Sequence, residues 1–469
     1  MNIKYYKWKK KEKADLFNSC KYFLELNECQ FYQPYFSLYF HIHNTKKSHK
    51  MIDIDRRFFL RELVGVIKNN YDSSNTLLNG IIEDRINKSL LQKEVFCKCL
   101  PIIDPLYFLM NNYNNHIKRN IYLPSNYSYN TFNKINDMNN SAYLDTFFSF
   151  LSSEITVNNI NPSFPIFYGS LSGIKKEFKL DITDDYDDYK NEKWFHKTLG
   201  QTHTLDMYVS SSEEEEEVIE NDYDNNEYIS LLKNIPCQYF FIEKLDGTLE
   251  DLLFDIEKTD TNLILSCIFQ VAFALTYLQK HFQFTHNDLH VNNIMFTKTE
   301  KTFLYYKFNN IYYKVPTYGY LFKIIDFGRS IFTFHNKLFF NDNFCKHGEA
   351  EGQYTYPINN LLFKEINEEI IKPSYHFDLC RLAITIIDVC KIDFNTNYKE
   401  KQPFVDFIKN LTISTDETSL SQLRDDFNMY ISISKYANNS LPRDVIQNYI
   451  FKNMRIKKKQ FPKKLYYSL

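Results

Sequence analysis

The sequence predicts an α+β protein built in two parts, and three observations carry that prediction. Short apolar, aromatic-rich runs of strand length crowd the first half. Stretches with apolar residues three and four apart crowd the second half, which is the spacing of helices with one buried face. The chain has 469 residues, more than one compact core usually holds. In order, residues 94–100 (Glu-Val-Phe-Cys-Lys-Cys-Leu) suit a buried strand, and residues 142–151 place Tyr143, Leu144, Phe147, Phe148 and Leu151 at helical spacing. Residues 163–170, with Gly169, read as a strand, as do residues 237–245, which end at the turn pair Asp246-Gly247. Leu263, Ile264, Cys267, Ile268, Val271, Ala274, Leu275 and Leu278 form the stripe of a long helix. That stretch contains Gln270 and falls short of the ~20 residues a membrane span needs, so it reads as a buried helix. After Phe377 another helix carries Leu382, Ile384, Ile386, Ile387 and Val389.

Composition narrows the function classes. Lys plus Arg number 56 against 58 Asp plus Glu, a net charge of -2, so no whole-molecule field draws the chain to nucleic acid or a membrane. Any nucleic-acid contact would have to come from the lysine-rich ends, residues 7–13 and 455–464, which otherwise read as solvated tails. The nine cysteines include no Cys-x-x-Cys pair, and Cys97 and Cys99 stand too close for a zinc clip. An odd count with no secretory leader reads as reduced intracellular thiols. Only 10 Gly against 36 Tyr and 42 Phe fits AT-rich coding as well as any physical demand. Residues 181–234 carry Asp181, Asp184, Asp185, Asp187 and Asp188, then Ser210, Ser211, Ser212 and five consecutive glutamates from Glu213 to Glu217. Like charges this dense repel and leave little to bury, so this stretch is expected to be a mostly disordered insertion.

The chemistry concentrates after the long helix, in Phe284-Thr285-His286-Asn287-Asp288-Leu289-His290-Val291-Asn292-Asn293, and again in Phe322-Lys323-Ile324-Ile325-Asp326-Phe327-Gly328. An isolated Asp in a turn is usually just a turn former. The ordered pair of motifs resembles the catalytic loop and the metal-binding Asp-Phe-Gly turn of the protein-kinase superfamily, and more closely the divergent kinase-like proteins of large nucleocytoplasmic DNA viruses. The resemblance covers roughly residues 98–389. It implies a bilobal fold with a strand-rich N-lobe over residues 56–242 and a helical C-lobe over residues 243–469, preceded by an extension over residues 1–55. It also implies an intracellular protein, in host cytoplasm or virion if viral.

The resemblance implies roles residue by residue. Asp288 would take the proton of the acceptor hydroxyl, and Asn293 and Asp326 would hold magnesium, a hard cation that prefers oxygen ligands. His286 would pack near Phe327 and keep the two loops in register. Lys98 would reach the nucleotide phosphates, paired with an acid on the next helix, Asp145 in preference to Glu154. Ile242, Glu243 and Leu245 would line the adenine site at the hinge, the last two through their backbones, and Asp378 would hold the backbone of the catalytic loop.

Four departures qualify the resemblance. No Gly-x-Gly-x-x-Gly loop precedes Lys98, and Asn79-Gly80 is the only glycine turn expected near that place. Asn287 replaces an arginine that usually receives a regulatory phosphate, so control by loop phosphorylation is not expected. His290 stands where a lysine usually steadies the transferring phosphate, and a protonated imidazole there would act in a pH-dependent way. Residues 348–354 (Gly-Glu-Ala-Glu-Gly-Gln-Tyr) occupy the region of a missing Ala-Pro-Glu mark, and the long connection from Asn293 to Asp326 reads as an extended hairpin. The expectation is therefore an ATP- and magnesium-dependent phosphotransferase acting on protein Ser or Thr, with the nucleotide between two lobes. A small-molecule phosphotransferase of the aminoglycoside-kinase type and a catalytically inert kinase-like scaffold stand as alternatives.

Overall fold

The strands of the first half build one large antiparallel sheet, its central strands Phe167–Asp181 and Asn226–Glu243 buried in continuous runs and Asn75–Asp84 in alternation. The computed structural model describes residues 1–40, 51–69, 75–113, 123–125, 132–201, 203–209, 226–356, 370–423 and 427–469. They fall into two units, residues 1–146 with 167–244, and residues 147–166 with 245–469.

The first unit contains β1 (Tyr5–Lys7), β2 (Leu26–Gln30), β3 (Ile52–Ile54), β4 (Phe58–Asn69), β5 (Asn75–Asp84), β6 (Ser89–Pro101), β7 (Phe167–Asp181), β8 (His203–Val209) and β9 (Asn226–Glu243). The main sheet runs β2-β7-β9-β6-β5-β4, with β8 also paired to β9, while β1 and β3 form a separate pair. On β5, Leu78, Gly80, Ile82 and Asp84 are buried in alternation, the period of a half-buried strand. Gly80 therefore sits in mid-strand opposite Lys93, not in a turn as expected. A side chain there would meet Leu60 Cδ1 at 2.8 Å and Val95 Cγ2 at 3.0 Å, so close packing explains this glycine. Residues before 56, of which 7–13 were expected as a solvated tail, help build this unit's core: Trp8 is buried, stacks on Phe31 at 5.0 Å and donates its indole N–H to Asp53 Oδ2 at 3.2 Å.

Residues 181–234 differ from expectation wherever they are described. Helical turns cover Tyr186–Tyr189 and Lys193–Thr198, and β8 pairs with the first half of β9. Ile182, Phe195, Ile229, Leu231 and Leu232 are buried, and Tyr186 stacks on Tyr228 at 3.6 Å. The aspartates face solvent between these apolar anchors, which a reading by charge density overlooks. The glutamate block and the serines before it lie outside the described residues.

Among the described residues the second unit adds nine short strands to its helices, so "helical" describes only part of it. Its strands are β10 (Gly247–Thr248), β11 (Ile294–Lys298), β12 (Phe303–Phe308), β13 (Ile311–Pro316), β14 (Tyr320–Ile324), β15 (Ile331–Phe334), β16 (Lys337–Phe340), β17 (Arg455–Ile456) and β18 (Tyr467–Ser468). They form three sheets: β10-β11-β14, β17-β13-β12-β18 and β15-β16. The expected extended hairpin is thus β11 and β14 paired with each other, with the β12–β13 hairpin between them building a sheet of its own. The basic C-terminal segment, expected as a solvated tail, adds β17 and β18 to that sheet, and Phe461 packs on Tyr305 and Tyr312 at 6.0 and 4.9 Å. Its lysines point outward from a hydrogen-bonded backbone.

The helix Thr261–Phe282 forms the centre of this unit. Asp260 caps it by accepting from the Asn262 and Leu263 amides, and Gln283 ends it in the left-handed region at φ 50°. By length and composition this helix could cross a membrane, yet 83% of its most apolar window is buried in the protein. Gln270, the polar residue within it, accepts from the Phe322 amide at 3.1 Å and so satisfies its burial. The short helix Pro442–Ile446 packs against the helix Thr261–Phe282, and the helix Phe377–Val389 packs on both Gln402–Leu411 and Phe427–Tyr436.

Candidate active site

The register of β11 and β14 brings the two motifs together. Ile294 pairs with Ile324, so Asn293 on one strand end and Asp326 near the other emerge side by side. The Ile325 amide donates to the Asn293 carbonyl at 3.1 Å, extending the pairing one residue beyond the strands. His286 adds a second link: its Nε2 lies 2.8 Å from the Ile325 carbonyl, which accepts, so the ring proton sits on Nε2. The ring also packs against Phe327 at 5.7 Å, the register-holding position expected from sequence. Phe327 in turn lies against Phe148 at 4.9 Å and Phe284 at 6.1 Å.

Two residues of these loops adopt left-handed backbone, Asn287 at φ 65° and Asp326 at φ 62°. That region is sparsely populated by residues other than glycine, and Asn and Asp tolerate it best. Buried contacts hold Asn287 there. Its Nδ2 donates to Thr285 Oγ1 at 3.1 Å and to the Arg329 carbonyl at 3.0 Å, while its Oδ1 accepts from the Tyr354 hydroxyl at 2.6 Å. The position expected to lack an arginine's charge is thus filled by a neutral amide that ties the loop to residues 329 and 354. Asp378, the first-turn acid of the helix Phe377–Val389, accepts from the His286 amide at 3.1 and 2.9 Å and from the Asn287 amide at 3.0 Å. It is fully buried, and burial raises its pKa above the ordinary carboxylate range, opposed by His286 and the two backbone amides.

The proposed acid–base and metal positions lie in this frame. Asp288 is half-buried, and its Oδ1 accepts from the Tyr430 hydroxyl at 2.7 Å. Asn293 Nδ2 donates to the Asp288 carbonyl at 2.8 Å, leaving an Oδ1 that accepts no hydrogen bond from the described residues. Asp326 Oδ1 accepts from the Gly328 amide at 3.4 Å. His290 feels the charge of both Asp288 and Asp326, yet its pKa falls below the ordinary value, with burial as the largest cause. Both ring nitrogens also face N–H groups, the Asn292 amide 3.3 Å from Nδ1 and Asn293 Nδ2 3.0 Å from Nε2. A neutral ring has one lone pair to offer, so it accepts from only one of these two groups, the tautomer deciding which.

A cavity of about 350 Å³ opens beside Asp288, lined among others by His290, Arg329, Arg381, Thr385 and Tyr430. Sequence reasoning missed Tyr430, which lies 142 residues from Asp288 in a stretch with no motif. It also missed Lys323, a buried lysine of β14 whose Nζ donates to the Phe164 carbonyl at 2.9 Å.

In the first unit, Lys98 on β6 pairs with Asp145 of the helix Ser141–Val157, Nζ to Oδ2 at 2.8 Å. Asp145 is fully buried and Lys98 half-buried. Asn140 starts that helix by accepting from the Ala142 amide at 3.0 Å, which fixes where Asp145 falls. Glu154, the other acid weighed, accepts instead from Asn158 Nδ2 at 3.4 Å. Ile242 and Glu243 end β9, paired with Phe96 and Val95 of β6, and the division between units falls between Lys244 and Leu245. Among the described residues no group of three His, Cys, Asp or Glu could hold a metal ion. One carboxylate and one amide oxygen, Asp326 and Asn293, form a hard-oxygen pair of the kind magnesium takes when phosphate oxygens and water fill its other positions.

No family model matches the chain. A stretch of 87 residues, 18% of the chain, is 40% identical to uncharacterized protein 098R of Invertebrate iridescent virus 6, of which it covers 14%. A stretch of 146 residues, 30% of the chain, is 26% identical to the serine/threonine-protein kinase haspin homolog of Drosophila melanogaster, of which it covers 26%. The matched stretches span about a quarter or less of these curated relatives. The chain is thus similar, distantly and in part, to a protein kinase and to a viral protein.

Proposed function

We propose that the chain is a phosphotransferase with a bilobal kinase-like fold, moving the terminal phosphate of ATP to a Ser or Thr hydroxyl of a protein. The observation that carries this reading is the hydrogen-bonded pairing of the 286–293 loop with the 325–328 turn, which sets Asp288, Asn293 and Asp326 in one neighbourhood. The partial similarity to a serine/threonine-protein kinase supports it. In the reaction, the acceptor oxygen forms a bond to the terminal phosphorus while the bond to the bridging oxygen breaks, and that electron pair leaves with ADP. Asp288 orients the acceptor hydroxyl and takes its proton. Asn293 Oδ1 and the Asp326 carboxylate would hold magnesium, which when bound offsets the phosphate charge. Lys98, paired with Asp145, would donate to the phosphates, and Ile242, Glu243 and Leu245 would line the adenine site. His290, when protonated, would donate to the transferring phosphate, help that fades as pH rises and that burial weakens by lowering the pKa of the ring.

The test is incubation with radiolabelled ATP, magnesium and a degenerate Ser/Thr peptide pool, alongside thermal melting. Label should enter peptide, and ATP with magnesium should raise the melting temperature by mass action, about 2.7 kcal/mol of stabilisation at a hundredfold excess over Kd. Asp326→Asn should lose both the label and the magnesium-dependent part of the shift. A wild-type protein that neither labels peptide nor shifts would sink the reading, and a shift without transfer would favour a nucleotide-binding scaffold.

A further inference from the structure

We infer that Tyr430 is a positioning residue for phosphate transfer: its hydroxyl occupies one oxygen of Asp288 and so presents the other to the acceptor. The inference rests on the proposed function and adds a residue to that site.

Tyr430 Oη donates to Asp288 Oδ1 at 2.7 Å, and no described residue hydrogen-bonds to Oδ2. A carboxylate with two equivalent oxygens and a rotatable bond presents either of them, and pinning one removes that freedom before the acceptor arrives. The tyrosine is itself held. Its ring lies 5.7 Å from the Arg329 guanidinium and 5.0 Å from that of Arg381, stacks on Phe427 at 5.8 Å, and meets Phe377 at 5.8 Å. Met429 and Ile433, neighbours on its helix, sink into a cluster with Phe377, Cys380 and Ile384. Phe377, Cys380 and Ile384 belong to the helix that begins beside Asp378, the residue holding the His286 and Asn287 amides. One helix therefore sets both the backbone of the Asp288 loop and the ring that grips the Asp288 side chain. Burial and the nearby Asp288 charge both raise the Tyr430 pKa, which keeps its hydroxyl a donor. Tyr430 and Asp288 also line the same cavity, where an acceptor hydroxyl would enter.

Tyr430→Phe keeps the ring, its packing and its cation stacking, and removes only the hydroxyl. With the degenerate Ser/Thr peptide pool and magnesium ATP, kcat should fall about tenfold, the effect of one hydrogen bond to a charged group. KM for magnesium ATP should stay within about twofold, because this contact touches Asp288 and not the nucleotide. The melting temperature should move by less than about 2 °C, as for one partly buried hydroxyl in a unit of this size. A kcat equal to or above wild type would overturn the inference, the higher value meaning that Tyr430 blocks Asp288. A raised KM with unchanged kcat would overturn it too. Asp288→Asn runs in parallel: if that variant transfers at the wild-type rate, the function reading itself has failed, whereas its inactivity beside an unaffected Tyr430→Phe isolates the failure to Tyr430.

Discussion

Asp288→Asn should lower phosphate transfer by about a thousandfold while leaving the melting curve unchanged. A positioned general base contributes on the order of a hundred- to ten-thousandfold, and the amide cannot take the acceptor's proton. The substitution is nearly isosteric, and an asparagine Oδ1 still accepts from Tyr430, whose hydroxyl lies 2.7 Å from the native oxygen. Asp288 is half-buried with no charged partner of its own among the described hydrogen bonds, so the stability change should stay within about 0.5 kcal/mol. Initial rates on the peptide pool, with thermal melting alongside, separate the two quantities. Transfer at even a tenth of the wild-type rate would show that proton removal by this residue is not needed.

Asp378→Ala should damage both stability and activity. The side chain is fully buried and accepts from two backbone amides through three contacts between 2.9 and 3.1 Å. Truncation leaves both amides without an acceptor, and breaking such a buried polar set costs about 3 kcal/mol. In a unit of this size that corresponds to a drop of roughly 8 °C in melting temperature. Activity should fall further than the folded fraction, because those amides hold Asn287 in its left-handed turn one residue before Asp288. The pH dependence has a sign. Burial raises the Asp378 pKa in the folded state, so its titration contributes stability that is fully present below the unfolded value, ~3.9, and is lost as pH rises through the folded one. The gap in stability between wild type and variant should widen on mild acidification. Thermal melts at two pH values check this, and a gap that narrows would contradict it.

The parts legible in the sequence are those where local pattern and local structure coincide. The helix Thr261–Phe282 was marked by its apolar stripe, and the loop and turn around Asp288 and Asp326 by residue types in a fixed order. The choice of Asp145 over Glu154 followed from helical periodicity, since only the first lies in the well-patterned stretch. What stayed hidden depends on pairing across long separations. The position of Gly80 is understood only when Leu60 and Val95 are known to flank it. The aspartates after residue 181 look like a disordered run until β9 supplies a partner for β8. The tyrosine-rich strands β12 and β13 join with residues more than 140 positions later, and no local pattern forecasts that. Tyr430 reaches Asp288 for the same reason, through helix packing that leaves no motif.

The burial of the thiols has a practical consequence. Cys20, Cys29, Cys97, Cys99, Cys237, Cys267, Cys380 and Cys390 are all buried, and Cys345 alone is half-exposed. Burial pushes the Cys380 thiol up to about 12 and raises Cys20, Cys97, Cys237, Cys267 and Cys390 as well, so at neutral pH they offer almost no thiolate to an electrophile. A maleimide dye added in equal amount to the native protein should therefore attach at Cys345, as peptide mapping by mass spectrometry would reveal. That gives a fluorescent reporter, without any engineered cysteine, in the stretch between Asp326-Phe327-Gly328 and Tyr354.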